Sequence, residues 1–223
     1  MWAADGGGGS AVSIGAFVGS AAVSRVLAQG KRVRLRTFTR ADMACLSEWA
    51  DSAFVDAMVG SDFLYQYKHL YHRRNELFLD LLLRDGSQLN ALIIPIRGSG
   101  APVGFVRLFN INLLHGYAFL EIVIADPHSL RHGWGVEAGR LMVLYALESL
   151  GIRRIEAKAY AYNRLSQNAL LRNGFKLEGA LRQACFYNHQ YWDILVYGLL
   201  KDEMEEQRKK HSVSLFSADG AEL

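Results

Sequence analysis

Glu121 is the one acidic residue in an apolar run, Ala118-Phe119-Leu120-Glu121-Ile122-Val123-Ile124-Ala125, whose alternation reads as a strand. Phe119, Glu121 and Val123 fall on one face, and Leu120, Ile122 and Ile124 on the other. A carboxylate in such a strand must be paired, solvated in a cleft or protonated. A Pro-marked loop follows, then the compact turn Gly133-Trp134-Gly135 and a helix opening at Val136. Backbone N–H groups in such a turn can converge on a phosphate, with the positive end of the helix dipole behind them. Further on, Asn163 and Ser166 open a short helical segment just after Tyr160 and Tyr162. A buried acid beside an anion cradle points to an enzyme that deprotonates a substrate held next to a phosphorylated cofactor.

Other chemistries find less support. Four of the seven histidines, at 115, 128, 132 and 189, fall in loops, with no carboxylate at catalytic spacing, which argues against a Ser-His-Asp assembly. No His/Cys/Asp/Glu cluster has metal-ligand spacing, so no metal is expected. Cys45 and Cys185 lie far apart and read as two reduced thiols in a cytoplasmic protein. A net charge of +3 without a dense Lys/Arg block gives no reason to expect nucleic acid as a partner.

The elements that must position these residues occupy 31–200. Residues 1–30 are Gly- and Ala-rich, lack the basic segment of a signal peptide and are too diluted by Gly and Ser for a membrane span. They read as a flexible extension outside the core. Val33, Leu35 and Thr37 alternate with arginines as a half-exposed strand, and Thr39 caps a helix over 41–50. A longer helix is expected over 65–84, with Leu70, Leu77 and Leu81 on its apolar stripe. Strands follow at 89–97, 102–110 and 117–125, a helix at 136–150, a strand at 152–160, a helix at 163–172, and a final strand pair at 175–187 and 191–200. Residues 201–223 form a charged tail that begins as a frayed helix. The order predicts an α+β domain: a central, mostly antiparallel mixed sheet of about seven strands with helices on both faces.

Three segments, in this order, resemble the GNAT superfamily of acetyl-CoA-dependent N-acetyltransferases. Gly133-Trp134-Gly135-Val136-Glu137-Ala138 is similar to the G-x-G/A-x-E-A turn-helix of the acyl-CoA site. Asn163-Arg164-Leu165-Ser166 with Asn173-Gly174-Phe175 resembles the N-x-x-S…GF signature of the branch holding ribosomal-protein N-terminal acetyltransferases and spermidine acetyltransferases. Leu177-Glu178-Gly179, Arg182, Tyr191, Asp193 and Tyr197 resemble that branch's ending. The resemblance runs from Arg32 to about Leu200. One departure is Leu130, where the signature has Gln or Arg; Arg131 occupies the next position, often a glycine.

The resemblance implies acetyl-CoA as acyl donor, held by Val123, Ile124, Arg131, His132, Gly133, Trp134, Gly135, Val136, Asn163 and Asn168. Divergence of the Glu121 strand from its neighbour would free backbone groups near Val123 and Ile124 for the pantetheine arm. Glu121 is then the candidate base, or else a sheet-face glutamate paired with an arginine such as Arg107. Ser166 is the candidate partner of the leaving thiolate, with Tyr162 and Tyr160 in reserve; alternatively Ser166 and Asn163 cap their helix. Phe54, Phe63, Tyr65, Tyr67, Tyr71, Phe186, Tyr187, Tyr191 and Trp192 are candidates either for the walls of an acceptor pocket or for core. The expected acceptor is a protein N-terminus or small primary amine, ahead of an amino sugar and of spermidine, and a homodimer is allowed. The alternatives are transfer of a longer acyl group, or a non-catalytic CoA-binding or scaffold domain.

Overall fold

A computed structural model describes residues 24–71 and 74–216; residues 1–23 of the expected extension and 217–223 of the expected tail lie outside the described residues. The sheet begins earlier than Lys31, the residue at which the sequence opens the domain. Strand β1 (Val26–Gln29) pairs antiparallel with β2 (Val33–Arg36), because Leu27 and Ala28 supply apolar surface that the sheet buries. In β2, Val33 and Leu35 are buried and Arg34 is exposed, as alternation requires.

Arg36 leads into a turn closed by Asp42, whose carboxylate accepts from the Thr39 N–H at 2.8 Å and from Thr39 Oγ1 and Arg36 at 2.7 Å. Helix α1 (Met43–Ala50) follows, then α2 (Ala53–Met58) and α3 (Asp62–Gln66), each of the latter two capped by a serine, Ser52 and Ser61. The single helix expected over 65–84 is broken. Tyr67–Tyr71 forms a π turn, and α4 (Asn75–Arg84) starts afresh. The wider turn advances the register, and the buried Tyr67 donates its hydroxyl to Asn75 Oδ1 at 2.8 Å across the break. The apolar stripe therefore shifts phase: Phe78, Leu79 and Leu82 face the core, whereas Leu70, Leu77 and Leu81 are exposed.

Strands β3 (Leu89–Pro95), β4 (Gly104–Asn112) and β5 (Tyr117–Ile124) run antiparallel to one another. After α5 (Trp134–Leu150), strand β6 (Arg154–Tyr160) lies parallel to β5. Helix α6 (Arg164–Arg172) precedes the long hairpin of β7 (Lys176–Tyr187) and β8 (Gln190–Leu200). Helix α7 (Lys201–Lys210) packs on α5 through the buried Met204, and β9 (Ser214–Leu215) pairs with β1. The described sheet thus has nine strands, in the order β7-β8-β6-β5-β4-β3-β2-β1-β9, instead of about seven. The α+β class, the mixed and mostly antiparallel sheet and the helices on both faces are as expected.

Two cores sandwich this sheet. Ala91, Ile93, Val106, Leu120, Leu141 and Leu144 pack between the sheet and α5. Leu92, Ile94, Phe105 and Val123 point the other way, against Trp49, Phe63 and Phe78 from α1, α3 and α4. Burial on both faces leaves all seven residues of β3 inside. No helix among the described residues is long and apolar enough to cross a membrane.

Two consequences are measurable. A Cβ on Gly104 would collide with the Val123 carbonyl of β5, a backbone atom that cannot yield without separating the strands. Gly104→Ala should cost about 2 kcal/mol or more, seen as a Tm lowered by roughly 4–8 °C. Burial works to raise the pKa of Asp42, but the bonds from Arg36 and Thr39 outweigh it and hold the carboxyl below its ordinary value. Its contribution to stability is whole above the ordinary aspartate range and is lost as pH falls through the lowered folded value, below about 4. In urea titrations across this range, Asp42→Asn should flatten the acid-side slope.

Candidate active site

Strand β5 is paired on both sides only at its beginning. The parallel ladder to β6 joins Tyr117 through Leu120 to Arg154 through Ala157 and stops there, while β5 continues to Ile124 and β6 to Tyr160. On the opposite edge, β4 stays paired as far as Gly104–Ile124, and the Ala125 N–H donates to the Val103 carbonyl at 3.0 Å. Strand alternation then fixes which backbone groups are left over. Val123 directs its backbone at β4 and buries its side chain; the N–H and C=O of Ile122 and Ile124 face the gap left by β6. Of the expected pair, Ile124 is therefore placed at the opening and Val123 is not. Ile122 takes its place, a residue whose orientation only the strand register reveals.

The turn after β5 is folded by short-range bonds. Asp126 Oδ1 accepts from the His128 N–H at 3.0 Å and starts a one-turn helix at Pro127–Ser129. Arg131 (φ 65°) and Gly133 (φ 78°) are both left-handed, and such alternation of hand turns successive N–H groups toward a common concavity. The His132 and Trp134 rings stack at 4.5 Å. The first intrahelical bond of α5 is Glu137 N–H to Gly133 C=O, and among the described residues no side chain caps the amides of Trp134, Gly135 and Val136. Helix and strand approach closely here. The Cβ of an alanine at Gly135 would lie 3.3 Å from Ile124, and at Gly139 2.6 Å from Ile122. The uncapped, positive end of α5 is thereby held beside the opened end of β5.

Glu121 is ion-paired. Its Oε2 accepts from Arg107 Nε on the adjacent position of β4 at 2.5 Å, and both side chains are largely buried. The Arg107 guanidinium lies over the rings of Phe109 and Phe63, 4.4 and 4.7 Å from their centroids. Among the described residues, Glu121 Oε1 has no hydrogen bond. The pairing offsets the cost of a carboxylate in this strand, through one charge-assisted bond to a cation that itself lies over two aromatic rings.

Tyr160 and Tyr162 stack at 5.2 Å, and Tyr162 also meets Tyr187 at 4.7 Å and Trp192 at 5.3 Å. Burial, and then the neighbouring Cys185, push the Tyr160 hydroxyl up to about 12; Tyr162 is raised by the same two causes. The Tyr162 hydroxyl donates to the Ala57 carbonyl at 2.7 Å, so its proton is already committed. Of the expected pocket aromatics, only Tyr187 and Trp192 join this group. Phe63 and Tyr67 are core, Phe54 and Tyr71 pack against it, Tyr65 is exposed beside His69, and Phe186 pairs with Tyr191 on the exposed hairpin.

Asn163 caps α6 and does more. Its Oδ1 accepts from the Ser166 N–H at 3.1 Å, and its Nδ2 donates to Ser166 Oγ at 2.8 Å and to the Met58 carbonyl at 2.6 Å. Asn168 is exposed on α6. Two organising residues are given no role in the site by the sequence, although Asn173 belongs to the Asn173-Gly174-Phe175 motif. Gln167, buried, donates to the Tyr160 and Ala161 carbonyls at 3.0 and 2.9 Å. Asn173, also buried, donates to the Val136 carbonyl in the first turn of α5 at 3.0 Å. Gln167 sits four residues after a capping asparagine, and Asn173 directly precedes a glycine; both positions read as ordinary helix ends. Among the described residues no three His, Cys, Asp or Glu side chains gather as a metal-binding group.

Asn163→Ala should cost about 1–3 kcal/mol, because it removes the cap and strands the Met58 carbonyl. Asn163→Asp keeps the accepting oxygen and loses both donor bonds. Thermal denaturation of the two variants separates the cap from the tie to α2, and the aspartate variant should recover only part of the loss.

The family model described as an acetyltransferase (GNAT) domain matches residues 32–176, more than half of the chain. A putative ribosomal N-acetyltransferase of Bacillus subtilis (strain 168) is 28% identical over 127 residues, 56% of this chain and 68% of its own length. The ribosomal-protein-serine acetyltransferase of Escherichia coli (strain K12) is 30% identical over 45% of this chain and 55% of its own. An uncharacterised B. subtilis N-acetyltransferase is 36% identical over 34% of this chain, which spans only 42% of that relative. Among solved structures, spermidine N-acetyltransferase of Vibrio cholerae, in complex with CoA and spermine, superposes with a TM-score of 0.67 at 18% identity, covering 78% of this chain and 98% of that one. A GNAT-family acetyltransferase of Bacillus anthracis gives 0.63 at 18% identity, over 79% and 99%. With that model matching residues 32–176 and the fold shared with these structures, the chain belongs to the GNAT family of acetyltransferases.

Proposed function

We propose that this protein transfers an acetyl group from acetyl-CoA to a primary amine, with a protein N-terminus or a small amine as acceptor. The observation that carries the reading is the uncapped start of α5, behind left-handed Gly133, beside the unpaired backbone of β5. A phosphorylated, extended cofactor fits that pair of features: amides and a helix dipole for its phosphates, and an open strand edge for its arm. Acetyl-CoA supplies an acetyl group activated as a thioester.

The residues would divide the work as follows. Amides of the turn and of Trp134, Gly135 and Val136 hold the pyrophosphate, with Arg131 and His132 beside them. Backbone groups of Ile122 and Ile124 align the pantetheine arm, and an N–H there polarises the acyl carbonyl. Glu121 takes the proton of the acceptor ammonium directly or through water, at the oxygen that Arg107 leaves free. Ser166, at the positive end of α6, stabilises the departing sulfur, with Asn163 fixing its hydroxyl. Tyr160 is better placed than Tyr162 for any hydroxyl role, since the Tyr162 proton is donated to Ala57. Relatives named for ribosomal-protein acetylation support a protein N-terminus as acceptor.

The Glu121–Arg107 bond favours a second reading, in which the glutamate is a sheet pair and the amine loses its proton to solvent. A thermal-shift experiment with acetyl-CoA followed by a free-thiol release assay on peptide and small amines decides both points. Acetyl-CoA should stabilise the protein, and Glu121→Gln should keep that stabilisation while lowering kcat/KM by about 10²–10⁴. A loss under about threefold would assign Glu121 to the sheet alone. No stabilisation by acetyl-CoA at millimolar concentration would overturn the transferase reading.

A further inference from the structure

The hairpin turn between β1 and β2 meets α5, the helix that follows the Gly133 turn. Glu137, in the first turn of α5, accepts three backbone N–H groups from that hairpin: Lys31 at 3.2 Å, Arg32 at 2.7 Å and Val33 at 2.8 Å. Gly30 allows the approach, since a Cβ there would lie 2.7 Å from the Glu137 carboxyl carbon. The anchored hairpin then projects the Arg32 side chain back onto the turn. Its Nη1 donates to the His132 carbonyl at 2.8 Å and packs against Gly133 on the side where any other residue would carry its Cβ. The two contacts are reciprocal: a carboxylate of α5 fixes the hairpin backbone, and an arginine of the hairpin fixes the backbone immediately before α5.

The chemistry of an anion cradle makes this arrangement more than a fold contact. A peptide unit can present either its N–H or its C=O to a concavity, and a carbonyl facing a phosphate repels it. Arg32 engages the His132 carbonyl and so fixes the orientation of the His132–Gly133 peptide, whose N–H belongs to the turn. Glu137 would otherwise place an anion one helical turn from the phosphate position. Its oxygens are occupied by three N–H donors. We propose that Arg32 is a positioning residue for CoA binding, which acts by holding the His132–Gly133 peptide in its anion-receiving orientation. This rests on the acetyl-CoA reading of the same turn.

Arg32 and Arg34 are both exposed and lie two residues apart, and among the described residues only Arg32 touches the turn. Arg34→Gln is therefore the matched control. Calorimetric titration with CoA, together with KM and kcat for acetyl-CoA, should show that Arg32→Gln raises Kd and KM about tenfold with kcat changed by less than about twofold. Arg32→Lys, which keeps a donor of shorter reach, should recover part of the loss, and Arg34→Gln should match the wild type. The unliganded Tm of Arg32→Gln should stay within about 2 °C of wild type, because exposed side-chain contacts contribute little to stability. Equal CoA affinity in Arg32→Gln and wild type would overturn the positioning role while leaving the acetyl-CoA reading in place. So would equal losses in Arg32→Gln and Arg34→Gln, which would indicate a general charge effect. Failure of the wild-type protein to bind CoA would overturn both.

Discussion

Strands β5 and β6 are paired over only four residues, and the geometry of the candidate site depends on what happens where they stop. Beyond Leu120 the sheet has an interior edge, where backbone donors and acceptors of Ile122 and Ile124 have no strand partner among the described residues. Unmet backbone groups in a sheet are ordinarily a hazard or a defect. Here they lie beside the positive end of α5, brought close by Gly135 and Gly139. The opening and the helix start are two faces of one packing decision, because side chains at either glycine would push the helix away from the strand.

Charge is handled with similar economy. Arg107 and Glu121 sit in adjacent strands on the face that carries the aromatic core, and each makes the burial of the other tolerable. Removing either partner alone leaves a buried charge without its counter-ion, which is more costly than never having placed the pair. On the opposite face, Glu137 is stabilised by backbone amides. The two acidic residues flanking the candidate site are thus compensated by different means, one by a cation and the other by peptide dipoles.

Much of this was legible in the sequence because its markers are local. Gly133 and Gly135, the capping Asn163 and the alternation around Glu121 each announce their element within a few residues, and Arg107 could be named as an alternative partner for Glu121. What escaped was set by non-local geometry. β1 follows an Ala/Ser/Gly-rich run and carries only two buried apolar residues, so its strand character comes from the partners on both sides. The break between α3 and α4 has no proline or glycine to mark it; a buried tyrosine and a π turn do the work, and a stripe read straight through them selects the exposed leucines. The direction of the Ile122 and Val123 backbone depends on register with β4, which alternation alone leaves undefined. Gln167 and Asn173 matter through bonds to carbonyls, and a carbonyl has no sequence signature.

The Asn163 amide joins α6 to the end of α2, two segments 105 residues apart in the chain. One nitrogen serves both Met58 and Ser166, so displacement of the Ala53–Met58 helix cannot be independent of the first turn of α6. For protein engineering this defines the unit of exchange. A segment spanning α2 and α3 transplanted from a relative brings its own position for the Met58 carbonyl, and the recipient's α6 must meet it. Among the described residues the hairpin of β7 and β8 meets α2 at one remove, since Tyr187 and Trp192 pack on Tyr162, whose hydroxyl is bonded to Ala57.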